Sequence, residues 1–144
     1  MCVLAHPDDE SLGTGGTLAK YAATGVETYV ITATRGERGR YFEGVERPAS
    51  EVVGMTREAE LRAAVKELGV RETTLLDFPD GGLDAVDPLH AQNVIADHLR
   101  RLRPQVVITF GPEGAYGHPD HIAISQFTTA AVVRAAHTDY AVSK

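Results

Sequence analysis

The sequence predicts an α/β fold: a Rossmann-like, doubly wound and mostly parallel sheet with helices on both faces. Three observations carry that expectation. Short apolar or β-branched runs alternate with longer stretches of helical periodicity. The helical stretches stop at glycine or proline, and the intervals between runs are long enough for right-handed βαβ crossovers. Cys2 to Ala5 is the first strand, a short apolar run closed by His6-Pro7. Leu12 to Thr24 reads as a helix stopped by Gly25, which tolerates the left-handed conformation that ends helices. Val26 to Thr34 (VETYVITAT) is rich in β-branched residues and makes the second strand. Leu61, Ala64, Val65 and Leu68 fall at spacings of three and four, so Thr56 to Leu68 is a helix with Gly69 as its stop. Thr73 to Phe78 is the third strand, cut by Pro79-Asp80-Gly81-Gly82. Pro88 to Arg103 is an amphipathic helix with proline tolerated in its first turn and Pro104 just past its end. Gln105 to Phe110 (QVVITF) reads as a buried strand ended by Gly111-Pro112, and His118 to Ala136 as the last helix. Arg35 to Thr56 has no clean periodicity and is expected to be a mobile flap.

Composition narrows the function. A chain of 144 residues buries about two thirds of its unfolded surface, and 1–144 is read as a single domain. Fourteen Lys and Arg against twenty Asp and Glu give a formal charge of −6. No basic run is present that would track phosphates, so nucleic acid is disfavoured as a partner. Cys2, the single cysteine, rules out an intrachain disulfide framework and a multi-cysteine zinc site. Any metal has to be held by His and Asp. No stretch approaches the ~20 apolar residues of a membrane span, and no leader pattern opens the sequence. The expectation is a cytoplasmic protein acting on a small polar molecule, with no membrane partner and with homo-oligomerisation left open.

Two short segments near opposite ends of the chain hold the chemistry: His6-Pro7-Asp8-Asp9-Glu10 and His118-Pro119-Asp120-His121. Between them they offer imidazoles and carboxylates for one divalent metal and leave further ionisable groups beside it. Open α/β sheets bind ligands outside the carboxyl ends of their strands, where strand order reverses. His6 follows the first strand directly, and His118 follows the QVVITF strand after a glycine-rich turn. If those two strands are neighbours, both segments face one crevice.

The segments VLAHPDDESLGTGGTLAKY, TRGERG, Arg57-Glu58-Ala59-Glu60-Leu61 and YGHPDH occur in order over nearly the whole chain. Together they resemble the LmbE/PIG-L family of zinc-dependent N-acetylglucosaminyl deacetylases. The resemblance implies His6, Asp9 and His121 as zinc ligands, Asp8 as general base and His118 as an electrostatic catalyst. It further implies that Tyr116 meets the tetrahedral intermediate and that Arg57 and Asp80 contact the sugar. The reaction implied is removal of acetyl from an N-acetylated amino sugar, such as an N-acetylglucosaminyl conjugate. Ferrous iron or another divalent metal suits the same N/O donors as zinc. Relatives of this kind are commonly longer, with further strand and helix after the HPDH helix, whereas this chain stops at Lys144.

The residues themselves are consistent with that chemistry. Pro7 stiffens the first turn and removes a donor, so the adjacent Asp8 and Asp9 point in different directions. One of them can bind metal while the other faces the water, and a carboxylate beside a metal-acidified water is a suitable base. In the second segment Pro119 fits the first helical position, with His118 as N-cap and His121 at the third. Residues three apart share a helix face, which leaves His121 to ligate and a protonated His118 to stabilise an oxyanion. An amidase cleaving thiol-sugar conjugates would use the same motifs. A non-catalytic sugar- or metal-binding module needs neither base nor oxyanion donor. Gly13-Thr14-Gly15-Gly16 matches no dinucleotide or phosphate loop, and these glycines are expected to let the first helix pack closely on the sheet. His90, His98 and His137 read as ordinary helix residues.

Overall fold

A computed structural model describes residues 1–39 and 46–137. Its elements follow in the order β1 (Cys2–Leu4), α1 (Asp9–Leu12), α2 (Gly15–Ala23), β2 (Tyr29–Thr34), α3 (Ser50–Glu67), β3 (Glu72–Phe78), a 3-10 turn (Leu83–Ala85), α4 (Pro88–Leu102), α5 (Gly114–Gly117) and α6 (Pro119–Ala136). The three strands form a parallel sheet in the order β1-β2-β3, with Val3 opposite Ile31 and Ile31 opposite Thr74.

Alternation along the strands divides the core into two layers, because successive side chains leave a strand on opposite faces. Val3, Ala5, Ile31 and Ala33 pack with Ile95 and Leu99 of α4 and Ile124 and Phe127 of α6. Cys2, Leu4 and Val30 pack with Leu18 of α2 and Leu61 and Val65 of α3. Helices therefore cover both faces of the sheet, and the α/β class expected from the sequence is the one observed. Among the described residues no helix is long and apolar enough to cross a membrane.

The segment Gln105 to Phe110 departs from the expected buried strand. It lies beside β1, where Val3 N–H donates to Ile108 O and Ile108 N–H to Met1 O, both at 2.9 Å. Among the described residues a single parallel bridge, Cys2 to Ile108, joins the two. Val106 is 63% exposed, because among the described residues this segment is paired on its β1 side only. Its position nevertheless settles the topology: β1 has β2 on one flank and residues 105–110 on the other, so strand order reverses at β1.

Helix boundaries differ in two places. The first expected helix is split into α1 and α2, since Gly13 ends α1 with its N–H on Asp9 O and Thr14 leaves the helical region at φ −130°. Close packing does not account for the glycines here. A Cβ at Gly16 would meet nothing within 4 Å, and one at Gly15 would make ordinary contact with Leu68 at 3.6 Å. Helix α3 begins at Ser50, earlier than expected, because Val53 and Gly54 are buried while Val52 and Met55 are exposed, an apolar pattern with no clean stripe. The expected flap is thus partly helix, and its residues 40–45 lie outside the described residues.

Candidate functional site

The carboxyl end of β1 and the N-terminus of α6 meet in one cavity of about 1190 Å3, which His6, Asp8, Asp9, Arg57, Asp80, Tyr116, His118 and His121 all line. Asp9, the first residue of α1, folds back on the turn that precedes it. Its Oδ2 accepts the N–H groups of His6 at 2.8 Å and Ala5 at 3.2 Å. The other oxygen, Oδ1, lies 3.5 Å from His121 Nε2. His6 Nδ1 completes the group, 3.2 Å from His121 Nε2 and 3.7 Å from Asp9 Oδ2. Around a tetrahedral ion with bonds of about 2.0–2.1 Å, neighbouring donors stand about 3.3 Å apart. The three side chains fit such a divalent ion in both spacing and donor type.

His121 is placed by α6 and by stacking. Its ring lies against Phe110 at 3.8 Å and 6° between planes, and burial holds it below the ordinary imidazole range. His6 is gripped from the far side. Its Nε2 lies 3.1 Å from Asp120 Oδ2 and 3.2 Å from Asp80 Oδ1. Burial alone would lower the His6 pKa, but hydrogen bonds to Asp80, Asp9 and Asp120 outweigh it and push the value up to about 10. Burial works against the charged forms of Asp9 and Asp80, yet their hydrogen bonds with His6 hold both below the usual carboxylate value.

Asp120 is fully buried and ties three segments together. Beyond His6, its Oδ2 accepts Gly81 N–H at 2.7 Å and its Oδ1 accepts Leu83 N–H at 3.1 Å. The loop after β3 is also clasped to the loop after β2: Asp80 Oδ2 accepts Arg38 N–H at 2.6 Å, and Glu37 Oε1 accepts Asp80 N–H at 2.9 Å.

Asp8 turns the other way, as the residue pattern anticipates. Its backbone sits at φ 106°, and its half-exposed carboxylate meets Arg57 Nη2 at 2.8 Å. Burial raises its pKa, and Arg57 opposes that rise. The same guanidinium donates to Pro7 O and, at 3.0 Å, to Gly36 O. Gly36 has φ 64°, and a Cβ there would run into Arg57, which accounts for the glycine in the TRGERG turn.

His118 is the N-cap of α6, with Pro119 behind it, as expected. Its Nδ1 accepts Asp120 N–H at 3.2 Å. With Nδ1 turned to the helix, Nε2 is the ring's remaining donor atom. Tyr116 is 77% exposed at the lip, edge-on to His118 and His121 at 5.9 and 5.4 Å.

Over residues 1–132 the chain matches the family described as PIG-L: GlcNAc-PI de-N-acetylase. The chain belongs to that family. A relative of this PIG-L domain in Rhodococcus jostii (strain RHA1), a 1D-myo-inositol 2-acetamido-2-deoxy-alpha-D-glucopyranoside deacetylase, is 40% identical over 160 aligned residues, covering 97% of this chain and 55% of its own. N,N'-diacetylchitobiose deacetylase from Pyrococcus horikoshii superposes with a TM-score of 0.80 at 27% identity, over 92% of this chain and 48% of that one. The 4-carboxy-2-hydroxymuconate hydratase GalB from Pseudomonas putida KT2440 reaches a TM-score of 0.86 at 25% identity, over 96% and 57%. The chain spans about half the length of the curated relatives it matches, 55% and 44% for two of them. A hydratase among such neighbours shows that the PIG-L scaffold alone does not select the reaction; side chains at the strand ends do.

Four polar residues of the PIG-L site were given no role in the sequence reading. Asp120 stands inside the HPDH segment, where an acidic residue in a helix's first turn has an ordinary explanation in the helix dipole. Glu37 and Arg38 lie in the aperiodic stretch and carry no local signal. Glu10 sits in the first motif and is 1% exposed.

Proposed function

We propose that residues 1–144 form one domain, the catalytic part of a divalent-metal-dependent hydrolase that removes acetyl from an N-acetylated amino sugar carried on a larger conjugate. The observation that supports this most directly is the meeting of His6, Asp9 and His121 donors at 3.2 to 3.7 Å in the cavity that also holds Asp8 and His118. Relatives named as deacetylases of acetamido sugars supply the substrate class. Zinc is the metal proposed, with ferrous iron suited to the same donors.

His6 Nδ1, Asp9 and His121 Nε2 would hold the ion. When bound it supplies a Lewis acid beside the acetamide and makes a nearby water more acidic. Asp8 faces the cavity from the opposite side of its turn and takes the proton of the attacking water, its carboxylate steadied by Arg57; as the C–N bond breaks that proton passes to the departing amine and acetate is released. His118 donates from Nε2–H to the carbonyl oxygen as that atom becomes tetrahedral, and its cap bond to Asp120 N–H fixes the ring for the task. Tyr116 closes the lip beside both histidines. Arg57 and Asp80 face the sugar from the cavity wall. Asp80 does so with a carboxylate engaged by His6 and by Arg38 N–H, and Arg57 with a guanidinium that also holds Asp8, Pro7 O and Gly36 O.

The test is release of acetate and primary amine from a panel of N-acetylglucosamine conjugates by the zinc-loaded protein. Absence of both products from every conjugate sinks the proposal. His118→Ala is expected to lower kcat by about 10²–10³-fold, the usual cost of one oxyanion donor, with metal content unchanged. Asp120→Asn is expected to weaken metal binding by about 10–100-fold, because it loosens the group that orients His6. Competition with a chromophoric chelator reads the second effect, and a wild-type affinity would show that Asp120 has no hold on the ligand.

A further inference from the structure

A carboxylate is costly to bury without a cation, and Glu10 is 1% exposed and forms no ion pair among the described residues. Both of its oxygens are spent locally. Oε2 accepts Asp8 N–H at 3.0 Å, and Oε1 accepts the Ser11 hydroxyl at 2.5 Å. Asp8 is the residue that most needs holding. Its φ of 106° is a conformation that L side chains rarely adopt, and such strain persists only where the surroundings over-determine it. The carbonyl of Asp8 is occupied as well, accepting Ser11 N–H at 3.0 Å and Leu12 N–H at 2.9 Å. The left-handed turn is what separates the neighbouring carboxylates, sending Asp9 inward to His6 and His121 and Asp8 outward to Arg57.

We infer that Glu10 is a positioning residue for Asp8: its buried carboxylate holds the Asp8 amide and so fixes the left-handed turn that aims the Asp8 side chain into the cavity. The inference rests on the role proposed above for Asp8. Glu10 lines the cavity with its oxygens spent on the Asp8 amide and the Ser11 hydroxyl rather than on His6, Asp9 or His121, so its removal is expected to reach the reaction through Asp8.

Glu10→Leu keeps most of the volume and removes both acceptor oxygens that hold the Asp8 amide and the Ser11 hydroxyl. It is expected to retain the metal and KM while kcat falls by between about tenfold and a hundredfold, the cost of a small misplacement. In an Asp8→Asn background the same change is expected to cost nothing further, because the two residues act as a unit. Metal loss in step with kcat, or full additivity with Asp8→Asn, overturns the inference. Two readouts need no activity. A crystal structure of Glu10→Leu is expected to show Asp8 relaxed to negative φ, and an unchanged turn overturns the inference. In the wild-type protein the Asp8 amide is expected to exchange with solvent at least about 10²-fold slower than an open amide, since exchange follows local opening. An unprotected amide overturns the inference even if Glu10→Leu does not fold. A wild-type protein that releases no acetate would instead refute the deacetylase proposal and leave these two structural answers standing.

Discussion

Asp8→Asn keeps its metal and loses at least about 10²-fold in kcat, the lower bound of a general-base contribution. The expectation follows from the divergence of the two carboxylates. Asp9 spends Oδ2 on the turn and points Oδ1 at His121, whereas the Asp8 carboxylate meets Arg57 and lines the open cavity. Asparagine preserves the shape and can still accept from Arg57, but it cannot take a proton from water. KM is expected to stay near the wild-type value, since ground-state contacts to the sugar are left in place. Metal analysis beside steady-state kinetics decides the matter. Loss of metal in proportion to activity would make Asp8 a ligand, against the outward orientation of its side chain.

His121→Ala has the larger expected effect: the ion is lost and activity falls to background, with metal affinity reduced by well over the ~100-fold that outer partners of a ligand command. His121 Nε2 stands at 3.2 Å from His6 and 3.5 Å from Asp9, so its removal takes away the donor that α6 brings to this group. His118 cannot take over without giving up its cap, since Nδ1 is bonded to Asp120 N–H and the ring is held at the start of the helix. Metal titration of His121→Ala and His118→Ala separates the two histidines. Equal loss of metal in both would make His118 a fourth ligand and remove the donor reserved for the oxyanion.

Both expectations were partly visible in the bare sequence, for a physical reason. Pro119 after His118 and the three-residue step to His121 are local facts, and helix geometry turns them into a cap and an inward-facing imidazole without reference to the rest of the chain. The strand-end positions of His6 and His118 likewise follow from alternating elements and the switch-point rule. What could not be read was anything that depends on one loop meeting another. The pincer of Asp80 and Asp120 on His6 joins the ends of β1 and β3 to the start of α6, and no spacing in the sequence encodes it. The same holds for residues 105–110. Their apolar run is that of an interior strand, but burial depends on what lies beyond the β1 side, which a six-residue window does not contain. The break at Gly13-Thr14 was hidden for the opposite reason: a helical apolar pattern continues across it, and only the geometry of Asp9 folding back on His6 requires the interruption.

The two imidazoles that face each other across the cavity are 115 positions apart in the chain. During synthesis, at the usual 5–20 residues per second, the first leaves the ribosome roughly ten seconds before the second. Through that interval the nascent chain carries only half a chelator, and a His-Asp pair in an unfinished sheet has little hold on any cation. On the ligand set proposed, metal acquisition would wait until α6 has docked against β1, and a loaded site would double as a certificate that the last described helix has found its place.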